Sequence, residues 1–353
     1  MEASVCDERE NLAAGRGPSH RARVKPIAPI SLRDVEDARD RIAGAAVRTP
    51  LLRLDVAGLP CELWIKLECL QPIGSFKVRG AANAMARADP DALSGGVYTG
   101  SAGNMAQGVA WVARRLGIGC RVIVPDSAPR AKLDAIAALG ATAVGVPFDE
   151  WWSVLQDHGH PDETGLFIHP VCDPAVIAGN GTVGLEILED LPGVDAVVVP
   201  FGGGGLSCGV ASAIKAQRPS VRVHAAEVET ATPLAAALAA GGPVEVERTP
   251  TFVDGIGGRG VLPEMWPLAS TLLEGSLVVS VDEICEAIRT LVTAAHVVAE
   301  GAGAAAVAAA ASGRAGTGTV VAVVSGGNLD SDALATILEG GVPRAGGAAS
   351  RRS

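Results

Sequence analysis

The sequence predicts an α/β protein built on parallel strands, and three features carry that prediction. Short apolar runs alternate with amphipathic helical stretches from about residue 95 onward. Runs such as VVVP (197–200) and TVVAVVS (319–325) are apolar on both faces, as strands covered by helices on each side must be. Glycine-rich turns lie between strand and helix rather than between strand and strand. The alternation comes in two sets, and β-α-β connections of this kind give right-handed crossovers.

The elements follow in order. Residues 1–29 are polar and rich in Arg, Gly and Pro, and are expected to form a disordered extension. Ser31 caps a helix whose Leu32, Val35, Ala38 and Ile42 recur at helical spacing. LWIKLE (63–68) alternates as a strand. Gln71-Pro72-Ile73-Gly74 then breaks the chain before GSFKVRGA (74–81), which reads as a turn glycine, a capping serine and a helix start at Lys77. The first strand set is Val97–Thr99, RVIVP (121–125) and ATAVGVP (141–147), with helices from Met105 to Leu116 and through Lys132 to Leu139, closed by Gly117 and Gly140. The second set is DAVVVPF (195–201), VRVHAAE (221–227) and TVVAVVS (319–325). From about 340 the chain is a Gly/Ala/Arg-rich tail, expected to be loose.

A length of 353 residues suits two modest domains, and 48% hydrophobic residues with mean hydropathy +0.31 supply a large core. Only 3% are aromatic, so Ala, Val, Leu and Ile must fill it. A net charge of −10 without a basic block argues against nucleic acid or an anionic membrane as partner. Seven scattered cysteines with no C-x-x-C pair argue against structural zinc and a disulfide framework, and fit a reducing cytoplasm. The first residues do not resemble a signal peptide, and the alanine-rich run 302–311 is too short to span a bilayer.

Chemistry is suggested at four places. Lys77 stands at a helix start beside Gly74; blandly it is surface charge, but an amine so placed can fasten a carbonyl ligand. Gly202–Gly205 with Leu206 sits between a buried strand and a helix, where backbone amides and the helix dipole attract a phosphate. A tight turn needs only one or two glycines, and no Gly-Lys-Ser/Thr follows as in a Walker loop. GSAGN (100–104) is a carboxylate-sized nest at a helix start, and Ser325 of SGGN ends a buried strand at the sheet edge where ligands bind. The pattern G-x-G-x-x-G occurs at 179–184 and 255–260, in neither case after a clear strand. A competing reading uses the nucleophile-elbow pattern Gly205-Leu206-Ser207-Cys208-Gly209, with Asp254 and His296 downstream, as a serine hydrolase acting through Ser207. It leaves Lys77 and the other loops unexplained.

The motifs GSFKVRGA, SAGNMAQG, HPVCDPAVIAGNGT (169–182), GGGGL, DGI (254–256), EGAGAAA (300–306) and SGGN occur together in this order. In them the chain resembles the serine/threonine dehydratase (threonine ammonia-lyase) branch of the fold-type II pyridoxal 5′-phosphate enzymes, which also contains serine racemase. The resemblance covers about 31–335. It implies a tryptophan synthase β-like fold of two open, twisted, mostly parallel sheets flanked by helices. A large cofactor-binding domain would comprise 30–89 and 173–340, a small domain 90–172, and the tail 341–353. It further implies that Lys77 carries the cofactor as a Schiff base and moves the Cα proton. Phe76 and Gly255 would flank the ring, and Asn104 would bond its hydroxyl. Gly202, Gly203, Gly204, Gly205 and Leu206 would hold the phosphate, and Ser325 would face the ring nitrogen. Ser101, Ala102, Gly103, Asn104 and Met105 would meet the substrate. The implied reaction is α,β-elimination of a β-hydroxy-α-amino acid such as L-threonine or L-serine to a 2-oxo acid and ammonia, in a homodimer or higher oligomer.

Departures from the family pattern bear on the substrate. Ala102 replaces the serine that reprotonates the opposite face in racemase-like members, which disfavours the alternative of an amino-acid racemase. Met105 stands where histidine is usual and Asn180 where glutamine is usual. Trp151 and Trp152 fall where racemase-like members carry a basic residue, and Trp266 is a further bulky candidate. If these line the pocket, a dehydratase for a bulkier β-hydroxy amino acid is the alternative; otherwise they are core or surface aromatics. Glu227 matches a metal-binding glutamate of some relatives, but Pro233 replaces its partner, so no metal is expected. With few residues after 340, allosteric amino-acid feedback through a carboxyl-terminal regulatory domain is not expected.

Overall fold

The computed structural model describes residues 25–345. Most of the expected amino-terminal extension and of the expected tail, 1–24 and 346–353, lies outside them. The strands are β1 (Leu51–Arg53), β2 (Glu62–Leu67), β3 (Val97–Gly100), β4 (Cys120–Pro125), β5 (Thr142–Val146), β6 (Leu166–Phe167), β7 (Ala196–Pro200), β8 (Arg222–Val228), β9 (Gly275–Val279) and β10 (Thr319–Val324). They form a six-stranded sheet, β1-β2-β10-β7-β8-β9, and a four-stranded sheet, β5-β4-β3-β6. Every pairing is parallel except that of β1, a three-residue antiparallel edge strand on β2.

The last strand to be made, β10, lies in the middle of its sheet. Its Val321 and Val323 face one apolar core and its Val320, Ala322 and Val324 the other, and β7 alternates in the same way. One core is closed by helices Pro174–Asp190 and Gly205–Gln217, the other by helices Val281–Thr290 and Gly301–Ala311. The alanine-rich run is therefore a core helix, buried over ten consecutive residues, Gly301 to Ala310, where larger side chains would not fit. A third core joins helix Lys77–Arg87 to helix Asn104–Leu116 and one face of the four-stranded sheet.

The glycine pattern at 179–184 has a packing explanation. It lies within helix Pro174–Asp190, and a Cβ on Gly179 would stand 2.5 Å from the Arg79 carbonyl oxygen. A Cβ on Gly181 would stand 2.9 Å from the Gly209 carbonyl oxygen, and one on Gly184 2.8 Å from that of Val210. These glycines let three helices approach backbone to backbone. A dinucleotide fingerprint would instead follow a strand and open a helix.

Among the described residues no helix is long and apolar enough to cross a membrane, and Cys61, Cys69, Cys120, Cys172, Cys208 and Cys285 are free thiols.

Candidate functional site

Lys77 is the first residue of its helix, and its approach is stitched to the end of β10. Phe76 N–H donates to the Ser325 carbonyl at 3.0 Å, Ser75 pairs with Gly326, and Gly327 N–H donates to the Gly74 carbonyl at 2.8 Å. Gly74 has φ +70°, and the Asn328 side chain lies 2.6 Å from where its Cβ would be. Glycine is thus required there on both counts. Ser75 does not cap the helix as expected. The N-cap is Phe76, without a side-chain bond, and the Ser75 hydroxyl is buried with no partner.

Two residues further on, the helix is pinned by a buried ionic quartet. Arg79 binds Glu68 through Nε at 2.8 Å and Glu186 through Nη1 at 2.7 Å, and Lys66 Nζ meets Glu186 at 2.5 Å. Two positive and two negative groups cancel, which lets them persist out of water. The quartet ties β2, the Lys77 helix and helix Pro174–Asp190 to one another, fixing where the lysine stem begins.

The Lys77 amine points into a cleft between the two sheets. It donates to the Pro170 carbonyl at 2.8 Å, with the Phe76 ring centroid 5.2 Å away. Burial lowers its pKa to about 8, against a smaller opposing pull from the Glu300 charge. At pH 7 about a tenth of the molecules therefore carry the free base, far more than for a solvated lysine.

Two backbone cradles flank this amine. Gly204, in the left-handed region at φ +100°, caps helix Gly205–Gln217 without any side-chain bond. The N–H groups of Gly202, Gly203, Gly204, Gly205 and Leu206 have no acceptor among the described residues. Buried donors without acceptors are costly, so five together at a helix start fit an anion with several oxygens, such as a phosphate. Sterics add a constraint: a Cβ at Gly203 would meet Val171 Cγ1 at 2.9 Å, and one at Gly204 would meet Met265 Cγ at 2.8 Å. The closeness of its walls alone thus calls for glycine in this loop.

The second cradle is Gly100–Asn104. The Ser101 hydroxyl accepts from Gly103 N–H at 3.2 Å, and the N–H groups of Ala102, Asn104 and Met105 have no acceptor among the described residues. Nothing lies within 4 Å of a Cβ built on Gly103, so this nest opens onto free space. A carboxylate fits it. Ser101, Ala102, Gly103 and Asn104 are half-buried on this rim. Met105 is not: at 1% exposure it is sealed into the third core, so it supports the loop from behind instead of meeting a substrate.

Asn104 is the hub of the site. Its Nδ2 donates to Glu300 Oε1 at 2.8 Å and Oε2 at 3.0 Å, while its Oδ1 accepts from Asn328 Nδ2 at 2.8 Å. Ser325, 2% exposed, ends β10 beside the lysine loop, and its hydroxyl has no protein partner among the described residues. Gly255 closes the far wall, where a Cβ would meet Ala302 Cβ at 2.9 Å and Glu300 Oε1 at 3.4 Å.

Glu300, in the motif EGAGAAA, joins this group of side chains through Asn104, which the sequence alone does not announce. A single π-helical turn, Leu291–Ala295, ends at His296 with φ +58° and hands over to an extended segment that delivers Glu300 to the cleft. Burial raises its pKa to about 7, offset by the Asn104 bond and worsened by the Asp254 charge.

The serine-hydrolase and bulky-substrate alternatives both lose the residues they rested on. Ser207 is fully buried in the first turn of its helix and its hydroxyl donates back to Gly204 O at 3.3 Å, so it is no nucleophile, and no bond joins it to His296 among the described residues. Trp151 packs on the opposite side of the four-stranded sheet from the third core, with Tyr98, Ile123, Val146 and Val154. Trp152 stacks beside it at 6.2 Å, and Trp266 packs on the first core of the large sheet. These are core and surface aromatics. Glu227 caps helix Pro233–Ala240, accepting from Leu234 N–H at 2.7 Å, Ala235 N–H at 2.9 Å and Ser276 Oγ at 2.5 Å, which commits its oxygens. His158, His169 and Glu264 gather as metal ligands do, but both nitrogens of His169 are taken. Nδ1 accepts from Val171 and Cys172 N–H, Nε2 donates to Leu155 O, and burial lowers the ring pKa to about 3.

The comparisons with known proteins converge on this geometry. A family described as "Pyridoxal-phosphate dependent enzyme" matches residues 42–326. An L-threonine ammonia-lyase of Thermotoga maritima is 40% identical over 323 residues, 90% of this chain and 80% of its own. Among solved structures, maize serine racemase superposes with TM-score 0.79 at 32% identity, covering 89% of this chain and 98% of the other. Threonine deaminase isoform 2 of Solanum lycopersicum does so with TM-score 0.80 at 30% identity, covering 96% and 99%.

Proposed function

From the premise that the chain belongs to the pyridoxal-phosphate dependent enzymes, with their fold-type II architecture, we propose that it eliminates the β-hydroxyl of L-threonine or L-serine and releases a 2-oxo acid and ammonia. The observation that carries this reading is the buried Lys77 amine, with a pKa lowered to about 8, standing between two sets of unpaired backbone donors. Such an amine condenses readily with an aldehyde at neutral pH and can afterwards take a proton from the substrate Cα.

The residues present fit the cofactor. Gly202 to Leu206 would hold its phosphate, Phe76 and Gly255 would flank its ring, Asn104 would face the ring hydroxyl and Ser325 the ring nitrogen. Pyridoxal phosphate supplies an electron sink for the charge left at Cα. The chain supplies the rest. Ser101, Gly103 and Asn104 orient the substrate carboxylate, and Lys77 Nζ removes the Cα proton. A neutral serine facing the ring nitrogen, where other folds use an aspartate, does not hold it protonated, which favours prompt loss of the β-group over a long-lived carbanion. Water leaves, and hydrolysis of the resulting enamine gives the 2-oxo acid and ammonia without any oxidant.

Ala102 has no proton to give on the face opposite Lys77, so racemisation is the weaker reading, and the tryptophans do not favour a bulkier substrate. We place the cofactor domain at 30–89 and 173–340 and the small domain at 90–172, a division supported by the two separate sheets; helix Lys77–Arg87 shares a core with the smaller one. A cytoplasmic homodimer or higher homo-oligomer is part of the same reading, supported by free thiols and the prevalence of symmetric assemblies. The test is 2-oxo acid and ammonia release from threonine, serine and β-hydroxy amino acids with larger side chains. Preference for threonine or serine supports the reading, and turnover confined to larger substrates overturns it.

A further inference from the structure

The chain of side chains behind Asn104 has a fixed direction. Ile73 contributes a backbone carbonyl, which only accepts, so Asn328 must turn Nδ2 toward it, at 3.0 Å. That same Nδ2 reaches Asn104 Oδ1, which forces Asn104 to point Nδ2 at the Glu300 carboxylate. One amide N–H of Asn104 is thereby committed to Glu300.

Glu300 is also anchored to the lysine loop through backbone. Its N–H donates to the Gly326 carbonyl at 3.0 Å, and a Cβ on Gly326 would stand 2.5 Å from Glu300 Oε1. Gly326 follows Ser325, whose carbonyl holds Phe76 N–H, the residue before Lys77. The backbone that carries Glu300 is thus bonded to the backbone that leads into Lys77. Resting on the function proposed above, we propose that Glu300 is a positioning residue that fixes the Asn104 amide and, as the counter-charge of the Lys77 ammonium, sets the pH at which the lysine can capture its aldehyde.

The titratable groups around Glu300 come from four elements: Lys77 on its helix, Asp254 on the loop before Gly255, Lys132 on helix Arg130–Ala138, and Cys69 in the turn after β2. Asp254 and Lys132 pair with each other at 2.5 Å, so their influence on Glu300 largely cancels, and the Cys69 thiol is held neutral by burial. That leaves Lys77 as the uncompensated neighbour. Condensation of an amine with an aldehyde forms one C=N bond and expels water, and the amine must enter without its proton. An anionic Glu300 holds that proton on Lys77; a neutral one releases it.

The experiment is the rate at which cofactor-free protein takes up pyridoxal phosphate, followed by absorbance from pH 6 to 9. Borohydride trapping and mass analysis confirm attachment at Lys77. Glu300→Gln should move the acid limb of the rate profile about one pH unit lower, as loss of a nearby opposite charge requires. Glu300→Asp, which keeps the charge, should restore the wild-type limb. Asp254→Asn, at an exposed position and with Glu300 intact, should move it the other way, because Lys132 is then no longer offset and Glu300 stays ionised to lower pH. Profiles that coincide for all four proteins, with attachment still at Lys77, overturn the role of Glu300 alone. Attachment that survives Lys77→Ala overturns the functional reading beneath it.

Discussion

Replacing Lys77 by methionine should stabilise the cofactor-free protein, because the native site holds a half-buried lysine whose charge water solvates only in part. The amine titrates near pH 8 in the folded chain and near 10.5 when unfolded. At 1.36 kcal/mol per pH unit that difference costs the folded state about 3 kcal/mol at pH 7. Methionine fills nearly the same volume without a charge but gives up the bond to the Pro170 carbonyl, which offsets about 1 kcal/mol. The net gain is about 2 kcal/mol, several degrees in melting temperature. The sign of its pH dependence is fixed. Between pH 8 and 10.5 the unfolded chain binds the extra proton, so wild-type stability rises with pH across that window. At pH 9.5 the advantage of Lys77→Met should therefore shrink to well under about 1 kcal/mol. Thermal melts of the two cofactor-free proteins at both pH values provide the assay. A variant no more stable than wild type at pH 7, or a gain independent of pH, would refute the account of the buried amine.

Other consequences follow from the same geometry. Gly204→Ala forces a left-handed residue and a contact with Met265, and should cost about 1–3 kcal/mol while weakening phosphate binding, read by melting and by equilibrium dialysis with pyridoxal phosphate. Glu186→Gln leaves Lys66 and Arg79 sharing one carboxylate and should cost about 3–5 kcal/mol in denaturant unfolding, in contrast to an exposed pair such as Arg130–Asp134, whose loss should cost under about 1 kcal/mol. Ala102→Ser should introduce a proton donor on the face opposite Lys77, so that D-serine accumulates from L-serine in chiral chromatography where the wild type gives none.

Much of this site was legible in the sequence because its parts are backbone devices that need particular residues. The turn Gly202–Leu206, proposed to hold the phosphate, needs glycines, and Gly204 shows why, with its positive φ and the Met265 side chain against it. Strands β7 and β10 are apolar on both faces because each face meets a core, and continuous apolar runs announce that. Strands β1 and β6 escaped because two or three residues carry no period, and β9 because GSLVV sits at a sheet edge with half-buried side chains. Met105 and the tryptophans looked like substrate determinants because sequence position says which loop a residue lies on, and not which way it faces. Ser207 fitted its motif for the opposite reason: a glycine-rich strand-to-helix turn serves phosphate binding as well as nucleophile exposure. Glu300 was readable as part of a motif but not as an acid in the cleft, since its approach depends on a π-helical turn that no local pattern specifies.

The central claim is that one buried lysine captures the cofactor and moves the substrate proton. It is tested most directly by following 2-oxobutyrate and ammonia from L-threonine with purified wild type and Lys77→Ala, each supplied with pyridoxal phosphate. The account predicts equal amounts of both products from the wild type, a visible absorbance band on the protein, and the loss of band and turnover together in the variant. Turnover that persists without Lys77, or a wild type that neither binds the cofactor nor releases ammonia, would contradict it.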